Sequence, residues 1–311
     1  SGKQILKAIV DAAGKDGEKK GVNDVKDATN PIAAAIGSTD EQDAAAFNKM
    51  KKNDQIAAAI VLRGMAKDGE FALKNADAAN AEKGLKSTVE SAVNKTVSGW
   101  LEEMVKAAQT AAGAANGGAD MIGKVVNANT AAAKGGDATS VNGIAGGIKG
   151  IVEAAEKAGE EGKLESEEVA GDGDNADAGK LFAKKKDDGD NGGGGAADAE
   201  KAAAAVSAVS GKQILKAIVD AAGKDGEKKV ADVKDAKNPI AAAIGSTDDQ
   251  NAAAAFNKAE MKKNDQIAAA IVLRGMAKDG EFALKDNEHD NAKAGLKSTV
   301  ESAVNKTVVG G

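Results

Sequence analysis

Cysteine is absent from this chain, which excludes disulfides, thiolate nucleophiles and cysteine-ligated metal sites. Histidine occurs once, at His289, so no cluster of imidazole ligands can form. Tyrosine is also absent. With five Phe and one Trp as the only aromatics, any core is built from Ala, Ile, Leu and Val. Such small side chains permit closely spaced helices and bury little area per residue, which implies modest stability per residue. No apolar run reaches the roughly 18 residues of a membrane-spanning helix, and no secretory leader is visible. Neither sign of charge dominates: 42 basic and 48 acidic residues are interspersed, for a net charge of −6. That balance gives no electrostatic footprint for nucleic acid. The densest basic run, Lys184-Lys185-Lys186, is followed by Asp187, Asp188 and Asp190 and reads as a solvated loop.

What the chain does contain is a long internal duplication. The 25 residues MKKNDQIAAAIVLRGMAKDGEFALK run from Met50 to Lys74 and again from Met261 to Lys285. Ser1–Lys20 recurs as Ser210–Lys229, Asn30–Asp40 as Asn238–Asp248, and Gly84–Val97 as Gly295–Val308. The offset drifts only between 208 and 211, as small insertions and deletions in surface connections would produce. A period of this size far exceeds the roughly 20–50 residues of solenoid repeats, so the repeated object is domain-sized. The expected organisation is a partial unit at 1–97, duplicating 210–308, followed by a near-complete unit at 98–311 with a mobile loop region at 159–200.

The elements follow from apolar spacing. Ile5, Leu6, Ile9, Val10 and Ala13 mark one face of a short helix that Gly14 is placed to stop. Pro31 opens an alanine-rich turn of helix ended by Gly37, the expected order of Pro at the start and Gly past the end. The 25-mer centres on a helix from Asp54, its N-cap, to Lys67, with Gly69 as the left-handed terminator. Ile56, Ile60, Val61, Leu62 and Met65 surround that helix, which therefore belongs inside a bundle. The longest pattern is Leu85, Val89, Val93, Val97, Leu101 and Val105, extending to Ala112, and its second copy is Leu296, Val300, Val304 and Val308. Further helices are expected at Ala119–Ala133, Val141–Lys157 and Lys201–Asp220. Gly159–Glu200 is rich in Glu, Asp, Gly and Lys and reads as mobile loops around a small apolar patch at Leu181-Phe182. No stretch alternates as strands do. The expected fold is all-α, an alanine-rich helical bundle with long variable polar loops.

Chemistry is sought in vain. Gly211-Lys212 is followed by Gln213, and Val206 stands where a phosphate loop needs its first glycine. A calcium loop starting at Asp172 fails at Ala176 and Ala183, which lack ligating oxygens in their side chains. Glu102/Glu103, Glu160/Glu161 and Glu167/Glu168 are adjacent pairs that cannot face one another on a helix. His289 sits in a polar stretch, DNEHDN, as an exposed surface residue. The glycosylation sequon Asn94-Lys95-Thr96 falls within the long helix. Arg63 and Arg274 are the only arginines, and each reads as a guanidinium extended to the edge of a buried helix for a salt bridge. No catalytic, cofactor-binding or metal site is expected, and the chain does not read as an enzyme.

The repeated 25-mer closely resembles the invariant region of the VlsE family of variable surface lipoproteins of Lyme-disease Borrelia. Ser140–Val152 (SVNGIAGGIKGIV), Ala178–Lys185, Lys201–Gly223 and Asn238–Gly245 look like other constant parts of the same cassettes, and the LRGMAK core is shared with the variable large proteins of relapsing-fever Borrelia. The resemblance implies a helical, lipid-anchored protein of the cell outer membrane, whose exposed loops vary by recombination from silent cassettes for evasion of host antibody. Host antibodies are then the partners, with the membrane reached through the lipid anchor of the full-length parent; nucleic acid is not a partner, and a homo-oligomer stays open. An adhesin holding a host ligand on a constant surface is the alternative. Variable loops are expected at Asp16–Asn30, Gln42–Lys49, Glu160–Asp177 and Lys186–Asp198, and in the second copy at Asp232–Lys237, Gln250–Glu260 and Asp286–Lys293. The copies differ chiefly at Gly21–Thr29, Glu41–Lys49 and Asn75–Lys83. The chain shows no signal peptide or lipid-accepting cysteine, and its duplicated tail reads as translation across a cassette boundary.

Overall fold

The helix of the repeated 25-mer forms twice and is deeply buried only once. The computed structural model describes residues 1–13, 21–37, 46–73, 78–115, 122–156, 164, 174–187, 192–222, 229–247 and 252–309. The chain divides into two compact units, Ser1–Val105 and Lys106–Gly311.

The first unit holds α1 (Gly2–Ala13), α2 (Pro31–Ile36), α3 (Asn53–Met65) and the greater part of α4 (Ala78–Ala114). Asn30 caps α2 by accepting from the Ala33 N–H at 2.9 Å, and Pro31 supplies a first-turn residue that needs no N–H partner. Two small apolar clusters hold the unit together. Ile5 and Ala8 meet Ala58 and Val61, while Ala28, Ala33, Ala34, Met50 and Ala59 form the other. Only Ala58, Ala59 and Val61 of α3 are buried. Along α4 the apolar stripe loses its cover: Leu101 is 48% and Val105 55% exposed.

The second unit contains the end of α4 from Lys106, then β1 (Lys124–Asn127), α5 (Ala138–Glu156), α6 (Ala196–Ser207), α7 (Gly211–Ala222), α8 (Pro239–Ile244), α9 (Asn264–Met276), β2 (Glu281–Leu284) and α10 (Asp286–Val309). Here α9, identical in sequence to α3, buries ten residues from Asn264 to Gly275 against α6, α7, α8 and α10. Leu296, Val300 and Val304 of α10 close the core from one side. The α4 end approaches α5 at small residues. A Cβ added at Gly143, Gly147 or Gly150 would lie 2.5, 2.5 and 3.0 Å from Ala114, Ala111 and Ala107, so glycine is what permits the approach.

The fold is all-α apart from one short parallel pair, β1 with β2, in register from Lys124↔Glu281 to Asn127↔Leu284. Several expected elements are corrected by packing. The helix expected at Ala119–Ala133 is, where described, strand β1 followed by a turn, because Lys124-Val125-Val126 finds an open edge in β2. The single helix expected at Lys201–Asp220 is two, α6 and α7, meeting at 98°. Lys306 Nζ donates to the carbonyls of Val206 (2.8 Å) and Val209 (3.1 Å), so the exposed end of α6 is satisfied without continuing the helix. Asp286–Lys293, read as loop, forms the first turns of α10. Within the stretch read as mobile loops, Ala176–Phe182 is a 3-10 helix and α6 begins at Ala196; Leu181 and Phe182 are fully buried. The helix of the 25-mer starts at Asn53 rather than at Asp54, with no side-chain cap. Its left-handed residue is Asp68 (φ 61°), not Gly69; a Cβ on Gly69 would sit 1.9 Å from the Arg63 carbonyl oxygen. The expected stop at Gly14 lies outside the described residues.

Candidate functional surface

Among the described residues Arg274 is the largest fully buried side chain. It does not reach the helix edge for a salt bridge, as the sequence suggested. Its Nε donates to the Glu281 carbonyl at 2.8 Å, Nη2 to the Lys134 carbonyl at 3.1 Å and Nη1 to the Ala242 carbonyl at 3.4 Å. Phe182 and Phe282 lie beneath the guanidinium, and Phe182 in turn meets Phe256 at 5.5 Å. Burial pushes the Arg274 pKa down from 12.5 to about 9, with Glu281 opposing the shift, so the cation persists at neutral pH. The group is a structural clamp on three carbonyls. Arg63 does the same work half-exposed, donating to Ala34 and Ala35 carbonyls at 3.0 Å each and to Glu70 at 3.4 Å.

The other residues weighed for chemistry are dispersed. Among the described residues no group of three or more His, Asp or Glu could hold a metal ion. His289 is half-buried in the first turn of α10 and contacts Asp290 at 3.0 Å, so it is neither in a loop nor fully exposed. Glu103 pairs with Lys3 at 3.5 Å along α4, while Glu102 is exposed. Lys185 of the basic run pairs with Asp187 at 3.0 Å. Glu160, Glu161, Glu167, Glu168 and Asp172 lie outside the described residues. No helix among the described residues is long and apolar enough alone to cross a membrane.

The surface itself is informative. Aligning the copies, the second differs from the first at Ala231, Lys237, Ala255, Ala259, Glu260, Asp286, Asn287, Glu288, His289, Asp290, Lys293 and Ala294 among the described positions before Val309. None of these is buried. They form two neighbourhoods. In one, residues 231–237 and 252–260 are braced together: the Asn257 N–H donates to the Lys234 carbonyl at 3.0 Å, and Asn257 Nδ2 donates to Asp235 at 2.9 Å. The same brace joins Asn48 to the Lys26 carbonyl (2.8 Å) and Asp27 (3.1 Å) in the first unit. In the other, Asp286 accepts from Asn127 at 2.6 Å and Glu288 accepts from the Ala196 N–H at the start of α6.

The loop boundaries read from sequence were therefore too wide. Val233, Ala236 and Phe256 lie within them but are buried at 3%, 0% and 1% exposure, and they are unchanged between copies as Val25, Ala28 and Phe47. Asn175 and Asp198, also in expected loops, are buried: Asn175 donates to Asn264 at 2.9 Å, and Asp198 accepts from the Gly195 N–H at 2.7 Å. The signal for this in the sequence is the identity of VKDA and FNK in both copies, at Val25–Ala28 and Phe47–Lys49 and again at Val233–Ala236 and Phe256–Lys258.

Fold and surface together define an all-α scaffold in which the described differences between the two copies lie outside the buried core. A family model for Borrelia lipoproteins matches residues 1–99 and again 96–310. The chain belongs to that family. It is similar to Variable large protein 17 of Borrelia hermsii, at 38% identity over 230 residues, covering 73% of this chain and 60% of that protein. Variable large protein 4 of the same organism is 34% identical over 229 residues, covering 71% and 59%. The chain thus spans about three-fifths of the length of these curated relatives. Among solved structures it is similar to the variable surface antigen VlsE of Borrelia burgdorferi, with 48% identity, a TM-score of 0.59, and coverage of 74% of this chain and 77% of that one.

Proposed function

We propose that this chain is an antigenic-variation surface protein, or the product of a donor cassette for one, that presents changeable rim positions on a fixed helical scaffold for evasion of host antibody. One observation carries this reading: every described position that differs between the two copies lies outside the buried core. A substitution at such a position removes antibody contacts at little cost to stability, because it opens no cavity and strands no buried polar group. The similarity to a variable surface antigen supports the reading. On it, residues 1–97 are a partial cassette duplicating 210–308, the full-length parent is lipid-anchored in the outer membrane, and the chain has no catalytic activity.

The test is to sequence the locus before and after host passage and map changes on the structure. Changes concentrated at Ala231–Lys237, Ala252–Glu260 and Asp286–Ala294, sparing Val233, Ala236 and Phe256, are expected. Substitutions spread equally over α9 and these rims would refute the proposal.

A further inference from the structure

Residues 123–137 of the second unit lie as a strap across the ends of α8, α9 and β2. The Gly123 N–H donates to the Gly275 carbonyl, and β1 pairs along β2. The Lys134 carbonyl accepts from the Glu281 N–H (2.9 Å) and from Arg274 (3.1 Å). Farther along, Gly136 and Asp137 donate to the carbonyls of Ala243 (3.0 Å) and Lys278 (2.8 Å). Each receiving residue has an identical counterpart in the first unit: Gly64, Arg63, Glu70, Ala35 and Lys67.

The first unit keeps part of the backbone of that receiving surface. Asp68 and Asp279 have φ of 61° and 62°. A Cβ on Gly64 would meet Val89 at 2.5 Å, and one on Gly275 would meet Val300 at 2.4 Å. What differs is the cover. Ile244 and Leu284 are 1% and 0% exposed, whereas their counterparts Ile36 and Leu73 are 54% and 41% exposed. Among the described residues no strand pairs with Phe71–Leu73, whose sequence is that of β2. The same amino acids thus line an occupied groove in one unit and an uncovered one in the other, where Arg63 takes the Ala35 carbonyl that in the second unit, at Ala243, receives the strap. Docking of a strap therefore requires Arg63 to release that carbonyl and turn to the strap as Arg274 does.

We propose that this face of the first unit, from Ile36 through Arg63 to Leu73, is a docking groove for the strap, residues 123–137, of a second copy of this chain. Recognition is strand addition, with main-chain hydrogen bonds for affinity and the Val125 side of β1 for apolar fit. The transfer exchanges like contacts for like, as in domain swapping, so the donor's own strap must first open; association is slow and rises with concentration.

The absence of cysteine gives a clean test. Val126 pairs with Ala283, and Ala72 is the counterpart of Ala283. An Ala72→Cys chain is mixed with a Val126→Cys chain under oxidising conditions. A Val126→Cys/Ala283→Cys chain serves as the control that closes within one molecule. A mixed disulfide dimer is expected, its yield reduced on the order of tenfold by Leu73→Lys on the exposed face or by excess synthetic peptide of residues 123–137. No mixed disulfide while the control closes would overturn the proposal. So would a mixed disulfide insensitive to Leu73→Lys, or a peptide that binds while the full chains stay uncrosslinked.

Discussion

The Arg274 guanidinium carbon stands 5.1 Å from the ring centroid of Phe182, and that ring makes an edge contact at 5.3 Å with Phe282, the residue after Glu281 whose carbonyl Arg274 holds. The cation, two rings and three carbonyls form one closed assembly joining α9, β2, the strap and the 3-10 helix Ala176–Phe182. Desolvation of the cation is offset by charge-assisted hydrogen bonds and the ring faces.

Arg274→Met is expected to destabilise the protein by about 3 kcal/mol, because buried carbonyls lose their donor. Arg63→Met, at a half-exposed site where water replaces the guanidinium, is expected to cost about 1 kcal/mol or less. Arg274→Lys should fall near Arg274→Met, since an ammonium cannot span three carbonyls in one plane. Urea denaturation of the three variants checks the order; equal losses at positions 63 and 274 would contradict it.

Hydrogen exchange should separate two helices of one sequence. Amides of Asn264–Met276 are expected to be protected far longer than those of Asn53–Met65, because ten residues are buried in the former and three in the latter. Equal protection would show that sequence, not packing, sets the local stability.

The small-residue seam between α4 and α5 makes a paired prediction. Gly147→Leu should destabilise by about 1–3 kcal/mol, since the new side chain meets the Ala111 backbone. Gly146→Ala, one residue away and facing open space, should stabilise by roughly 0.5–1 kcal/mol through helix propensity and a less flexible unfolded chain. Thermal melts of both variants decide it.

Acid should loosen the braced rim first. Hydrogen bonds from Lys234 and Asn257 lower the Asp235 pKa from 3.8 to about 2. Hydrogen bonds from Asn127 and Asn129 also lower that of Asp286. A folded-state pKa below the unfolded value gives stability that is present above 3.8 and lost as pH falls toward 2. Asp235→Asn should flatten the dependence of Tm on pH within that window and leave it unchanged near neutrality. An unaltered acid limb in the variant would show that this carboxylate carries no such linkage.

Much of the helical skeleton was legible because its signals are local. Asn30-Pro31 and Asn238-Pro239 start α2 and α8, and apolar spacing marks α1, α5 and α10. The core reading of the 25-mer holds for its second copy, where a helix apolar on all sides is enclosed, and not for the first, where three residues are buried. What escaped was whatever depends on a distant partner. Lys124–Asn127 becomes a strand only because Glu281–Leu284 offers an edge; Leu181-Phe182, in a polar stretch, is core only because Phe256 and Phe282 come to meet it. The rim was read too broadly for the same reason, because burial of Val233 and Phe256 is set by neighbours far along the chain.

The sequence by itself determined that this protein is built from helices and that one 25-residue segment occurs twice without change. Turn chemistry and apolar periodicity act within a few residues, so they are the same wherever the segment occurs. Only the tertiary structure decided that EFAL is a paired, buried strand at Glu281–Leu284 and an uncovered segment at Glu70–Leu73, and that Arg274 is sealed while Arg63 is half-exposed. Burial and strand pairing belong to whatever packs against a segment, and that is not written within it.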